Sequence, residues 1–255
     1  MSIMKKKNII QFMPYFPPHI WGVEKVWEDI FLKWTYWESI VFAWKWKDEL
    51  YVHNEKNTYN LDSKRYFGFP IFDIVDNFPV PLIWTKTYRD NIKKLSQIIK
   101  ETPNEDFYII THTRFFLSSL LGGRFAKKHN LKWIHIEHGS DYVKLSSSFK
   151  TKIAYMYDRS IWKWIFKKAD KLLAISEVVK DFIKNEFQRN DVQTWYRWVE
   201  FPVVSESSLL KTQFHNKKII WYVGRLYKWK NISWLCEAYL LLADEIKHIS
   251  QLVIV

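Results

Sequence analysis

The chain is 255 residues long with a formal net charge of +12 and a single cysteine, a length that permits one large α/β domain or two smaller ones with a real core. One cysteine excludes an internal disulfide and fits a reducing compartment. No run approaches the roughly 18 apolar residues of a membrane-spanning helix, and Gln11 and Pro14 interrupt the stretch that a signal peptide would need to be apolar, so a cytoplasmic location is expected.

Short apolar runs alternate with amphipathic stretches from end to end, which predicts an α/β fold with a doubly wound parallel sheet. Asn8 to Phe12 reads as the first strand, followed by a loop carrying Pro14, Pro17 and Pro18. Val23, Val26, Ile30 and Phe31 recur at helical spacing, and Ser39 to Ala43 is a strand. Ile92, Leu95, Ile98 and Ile99 mark a helix that stops before Pro103. Phe107 to Thr111 is a strand, Phe115 to His129 a helix with Gly122-Gly123 inside it, and Trp133 to Glu137 a strand. Ser160 to Lys168 is helical, Lys171 to Ile175 a strand, and Glu177 to Phe187 a helix. Residues 201–216 lack periodicity and read as a linker. The pattern then restarts with strand Lys218 to Val223, helix Asn231 to Asp244 and strand Gln251 to Val255. The expected organisation is a domain over 1–200, the linker, and the start of a second domain over 217–255 that is cut short, since a bare parallel strand is a poor ending for a fold.

The chain holds fifteen tryptophans and six glycines, where globular composition predicts about eighteen glycines. Trp21, Trp198 and Trp229 stand where the backbone calls for glycine. One explanation is a gene that uses UGA as a glycine codon; the other is a chain that is truly Trp-rich.

Three segments carry candidate chemistry. The loop Pro17 to Glu24 joins the first strand to the first helix, at the sheet edge where doubly wound folds bind ligands. With glycine at 21, the turn at Trp21 and Gly22 would offer free N–H groups at a helix N-terminus to a phosphate or a hydroxyl. In Ile134 to Asp141, strand alternation points His135 and Glu137 to one face, and His138 falls just past the strand end. A histidine there can donate to a ligand hydroxyl or shuttle a proton. The spacing makes no strong metal signature. In Tyr222 to Asn231 a strand delivers Gly224 and Arg225 into a loop before a helix, with Lys230 close by. A guanidinium fork, an ammonium and a helix N-terminus together suit a diphosphate.

Taken together, Ile20 to Glu24, Glu137-His138-Gly139, Ala169 to Ser176, Tyr196 to Val199 and Val223 to Lys230 resemble the family-4-like glycosyltransferases of the GT-B fold. The resemblance implies two Rossmann-like domains, the second truncated here. The first would bind a glycan or lipid-linked acceptor and the second a nucleotide-diphosphate sugar. It implies transfer with retention, no metal and no bound cofactor. Carried over, His138 contacts the donor sugar near the reacting centre. Arg225, Lys230 and Gly224 hold the leaving diphosphate, and Trp21, Gly22 and Glu24 line the acceptor side. Two departures stand out. The family's C-terminal glutamate pair would lie beyond Val255, so the chain alone is expected to lack donor affinity, and a literal Trp21 obstructs the site.

Two other readings fit parts of the sequence. A basic, aromatic-rich chain could bind single-stranded nucleic acid, although its charge is diffuse and its aromatics are not grouped on one face, so no nucleic-acid partner is expected. A nucleotide-sugar epimerase would share the architecture. The positive charge also fits peripheral contact with an anionic membrane through Lys33, Trp34, Tyr36, Trp37, Lys45, Trp46 and Lys47.

Overall fold

In the first of two units, Met1–Trp198, the strands β1 (Lys7–Met13), β2 (Glu38–Trp44), β3 (Arg65–Phe69), β6 (Asp106–His112), β7 (Lys132–Glu137), β8 (Lys171–Ala174) and β9 (Gln193–Thr194) form one sheet in the order β3-β2-β1-β6-β7-β8-β9. Every pairing in it is parallel. The computed structural model describes residues 7–13, 38–44, 65–69, 71–74, 78–81, 83–103, 105–142, 147–196, 216–224, 226 and 230–255. The chain builds outward from β1 to β3, then returns to the other side of β1 with β6. That reversal is a topological switch point, and ligands of such sheets bind outside the carboxyl ends of the strands there.

Register decides what each face carries. Phe12, Thr111, His135 and Leu172 stand in one row across β1, β6, β7 and β8. Ile10, Ile109 and Trp133 form the row below. Helices α2 (Leu117–Lys128), α4 (Lys163–Lys168) and α5 (Glu177–Phe187) bring Phe125, Ala126, Ile165, Phe166, Val179 and Ile183 into one core with these rows. On the opposite face Ile9, Gln11, Met13, Ile110, His112 and Ile136 are buried too. Burial on both faces is what a parallel sheet requires and explains why its strands are nearly continuous apolar runs.

Helix α2 lies unusually close to the sheet. A Cβ at Gly122 would sit 2.5 Å from Thr111 Cγ2, and one at Gly123 would sit 2.3 Å from Trp133 Cη2. The glycine pair therefore permits close packing. Helix α1 (Lys86–Glu101) starts at Thr85, whose side chain accepts from Tyr88 N at 3.3 Å, and α5 starts at Ser176, which accepts from Val179 N at 3.3 Å. These are ordinary N-caps that satisfy otherwise orphan donors.

The structure departs from the predicted elements in several places. A helical run begins with α3 (Ser148–Tyr157), passes through a π-turn at Asp158–Trp162 and continues into α4. The prediction began only at Ser160, because Phe149, Ile153 and Met156 of α3 do not face the core. Strands β3 and β9 and the antiparallel hairpin of β4 (Ile71–Ile74) and β5 (Phe78–Pro81) were not anticipated. Pro79 and Pro81 argue against a central strand but are tolerated in a two-stranded hairpin.

In the second unit, Val199–Val255, β10 (Lys218–Tyr222) pairs in parallel with β11 (Ser250–Ile254). Two helices, α6 (Ile232–Leu240) and α7 (Asp244–Ile249), connect them, where the sequence predicts one. Cys236 on α6 is half-buried, not a core residue.

Candidate active site

The carboxyl ends of β6 and β7 carry an interlocked polar cluster. Strand β6 ends at His112, and the next residue, Thr113, adopts φ 55°. A β-branched residue in the left-handed region is a true outlier, with a cost of about 1–3 kcal/mol. Its neighbours hold it there. Its N–H donates to Ile136 O at 2.9 Å, and its carbonyl accepts from Ser119 Oγ at 3.0 Å and Phe116 N at 3.2 Å. The turn drives Arg114 back over the end of β7.

Arg114 and Glu137 form a salt bridge of 2.8 Å with side chains 2% and 0% exposed. The Glu137 carboxylate accepts five hydrogen bonds. Oε1 receives Arg114 Nη1 at 2.8 Å, His138 N at 3.1 Å and Gly139 N at 2.7 Å. Oε2 receives Arg114 N at 2.9 Å and His135 Nε2 at 3.2 Å. Arg114 in turn donates to Gly139 O at 3.0 Å and Asp141 O at 2.6 Å, and its Nε faces Asp158 Oδ1 at 3.6 Å. The loop from His138 to Asp141 is thus gripped twice. Its N–H groups are held by Glu137 and its carbonyls by Arg114. A side chain at 139 would crowd this grip, because a Cβ there would lie 2.9 Å from Arg114 Nη1 and 3.1 Å from Glu137 Oε1.

Behind Glu137 the cluster runs into the core. His135 Nδ1 lies 2.8 Å from Thr111 Oγ1, which accepts from Trp133 Nε1 at 2.8 Å. His135 thus bridges the Thr111 hydroxyl and the Glu137 carboxylate through its two ring nitrogens.

Electrostatics follow from burial. Burial would raise the Glu137 pKa, but the Arg114 guanidinium first, and then the bonds from His135 and the Arg114 main chain, outweigh it and hold the carboxyl at about 2. Burial lowers His138 to about 4, against the pull of Glu137. Burial likewise drives His112 well below the ordinary histidine range, with His138 and His135 adding to the effect. The two rings meet edge-on with centroids 6.2 Å apart. Both imidazoles are therefore neutral near pH 7 and act as hydrogen-bonding groups rather than cations.

Of the residues predicted for the site, His138 stands at the end of β7, half-buried, with its Nε2 shut off from solvent. Gly224 follows β10 with φ 154° and donates to Val255 O at 2.9 Å, and Lys230 is exposed just before α6. Trp21, Gly22, Glu24 and Arg225 lie outside the described residues, as do Trp198, Trp229 and the stretches 33–37 and 45–47 named for membrane contact. Trp133 and Trp162 are core side chains, 0% exposed. Sequence reasoning missed Arg114, His112 and Asp158. The available signal was the polar run Thr111-His112-Thr113-Arg114 closing an apolar strand at the ligand edge. Among the described residues no three of His, Cys, Asp and Glu are grouped as metal ligands. A surface hollow lined by Lys127, Asn130, Lys132, Asp170 and Lys171 lies at the opposite edge of the sheet, at the starts of β7 and β8.

The sheet order is that of a doubly wound α/β protein, and the solved structures it superposes on are of the GT-B type. Over 98% of this chain and 62% of its own length, sucrose-phosphate synthase from Thermosynechococcus elongatus superposes with a TM-score of 0.63 at 13% identity. HepE from Anabaena, solved in complex with UDP-glucose, superposes over 97% of this chain and 60% of its own length with a TM-score of 0.57 at 14% identity. At that identity these likenesses establish the fold. Residues 37–201 match Glycosyltransferase Family 4, and the chain belongs to that family. An uncharacterized glycosyltransferase of Methanocaldococcus jannaschii is 38% identical over 266 aligned positions, covering 99% of this chain; the chain spans 64% of that relative's length.

Proposed function

We propose that this chain carries the acceptor-binding domain, and the opening of the donor-binding domain, of a glycosyltransferase. The whole enzyme moves a sugar from a nucleotide-diphosphate sugar to a glycan or lipid-linked acceptor at the cytoplasmic side of a membrane, with retention and without a metal. The observation that carries this reading is the double grip of Arg114 and Glu137 on the loop bearing His138. A loop held at both its donors and its acceptors presents one fixed geometry, which is what orienting a reacting sugar demands.

In this reading His138 meets the donor sugar beside the reacting carbon. Its imidazole, held to about 4 by burial, is neutral and hydrogen-bonds a sugar hydroxyl. A neutral ring suits the step, because a cation there would oppose the positive charge that builds on the sugar as the diphosphate leaves. Gly224, Arg225 and Lys230 receive the diphosphate, and Trp21, Gly22 and Glu24 line the acceptor side. The UDP-glucose bound to a protein of the same fold supports a nucleotide-sugar donor.

The test is transfer by the purified whole enzyme from a panel of nucleotide-diphosphate sugars, read by mass spectrometry, with the anomeric configuration of the product read by NMR; the 255-residue chain alone is expected to transfer nothing. His138→Ala is expected to lower kcat about a hundredfold or more while the denaturation midpoint holds. Full turnover by this variant, beside active wild type, would remove His138 from the reaction. An inverted product would remove the retaining step.

A further inference from the structure

The exposed face of α3 has no role in the site just described. Phe149, Ile153 and Met156 are 73%, 53% and 71% exposed. Their i, i+4, i+7 spacing puts them in one stripe, which on an ordinary surface helix faces the core. Here the stripe faces out. The exposed charges of its own helical run have a single sign, and the exposed carboxylate of Glu186 on α5 faces one of them, Arg159. Over Ser148–Lys168 the exposed charged side chains Lys152, Arg159, Lys163, Lys167 and Lys168 are all cationic. The acidic residue of the run, Asp158, is 0% exposed beside Arg114. Helix α3 is also fixed to the candidate active site. Tyr142, one residue past Asp141, packs on Tyr155 of α3 with ring centroids 4.8 Å apart and on Phe182 at 5.5 Å, and its hydroxyl donates to Glu186 at 2.6 Å.

We infer that the Phe149–Ile153–Met156 stripe and its cationic flank form the seat of an anionic lipid bilayer, which holds the His138 edge at the level of the headgroups. A bilayer is the occupant that supplies both an apolar phase for the stripe and negative charge for the flank. A nucleic acid offers the charge without the apolar phase. The inference deepens the proposed function by naming where a lipid-linked acceptor is anchored, and rests on that reading for its biological sense, although the binding itself does not depend on transfer.

The test is flotation of the protein with vesicles of phosphatidylcholine alone and of equal parts phosphatidylcholine and phosphatidylglycerol. The protein should float with the anionic vesicles only, and high salt should release it. Phe149→Ser/Ile153→Ser/Met156→Ser should weaken binding at least tenfold. Lys152→Ala and Lys163→Ala should each weaken it about fivefold. Lys93→Ala/Lys94→Ala, which removes two exposed cations from α1, should leave it unchanged and so separates this face from diffuse charge. In the whole enzyme, transfer to a soluble acceptor analogue should be unaffected by the triple variant. Four results would each overturn the assignment: no flotation with anionic vesicles, flotation indifferent to the triple variant, a dimer abolished by that variant, or binding to soluble polyglutamate with the same sensitivity to it. Loss of all transfer with flotation intact would sink the proposed function and leave the bilayer seat standing.

Discussion

Replacing Glu137 by glutamine tests the centre of the site. The shape is conserved and the charge removed, so packing is largely held constant. Whichever way the amide turns, its NH2 faces N–H donors: Arg114 N and His135 Nε2 on one side, or Arg114 Nη1, His138 N and Gly139 N on the other. Arg114, 2% exposed, is left with Asp158 at 3.6 Å as its ionic partner among the described residues. Breaking a buried pair from one side costs about 3–5 kcal/mol. The carboxyl's pKa leads independently to a similar figure. A folded value of about 2 against an ordinary 4.5 corresponds to on the order of 3 kcal/mol. Because the folded pKa is depressed, that stabilisation is complete above pH 4.5 and is lost as the pH falls through about 2. Urea denaturation of wild type, Glu137→Gln, Arg114→Met and the double variant is the assay. The singles should each lose about 3 kcal/mol or more, and the double variant should lose clearly less than their sum. The difference between wild type and Glu137→Gln should shrink between pH 4.5 and about 2. A loss below about 1 kcal/mol for Glu137→Gln, or a difference flat across that window, would refute the ionic account of the grip.

Three further outcomes are expected. Gly139→Ala should destabilise by about 1–3 kcal/mol in thermal denaturation and reduce turnover, since its Cβ meets Arg114 Nη1 at 2.9 Å. Stability should decline as the pH falls from 6.5 towards 4, because the unfolded chain protonates His112 and His138 while burial keeps both neutral in the fold; His138→Asn should flatten part of that slope. Proteolytic peptides of the natively expressed protein spanning Trp21, Trp198 and Trp229 should be lighter than the written sequence requires if UGA encodes glycine, and should match it if every tryptophan is literal.

The elements legible in the sequence were those whose side chains report burial. Strand β7 was predicted as Trp133 to Glu137, with His135 and Glu137 on one face, and the structure has Lys132–Glu137 with both buried on that face. Helix α5 was predicted at its observed bounds, because Ser176 caps it and its apolar positions keep helical spacing. Helix α3 was not legible because its stripe faces outward, so periodicity carried no sign of the core. The hairpin β4–β5 was masked by its prolines.

The candidate site divides in the same way. His138 was legible because a polar residue just past a buried strand lands at the ligand edge of any doubly wound sheet. Arg114 was not, because its partner Glu137 is 23 residues away and no local pattern relates the ends of β6 and β7. The sequence alone determined the alternation that makes a parallel sheet and the kinds of side chain left at its carboxyl edge, since both follow from local spacing and polarity. Only the tertiary structure decided that β1 lies beside β6, that Thr113 turns against its own preference, and that Arg114 and Glu137 meet around the His138 loop. Those outcomes depend on strand order and register, which arise from the packing of distant segments.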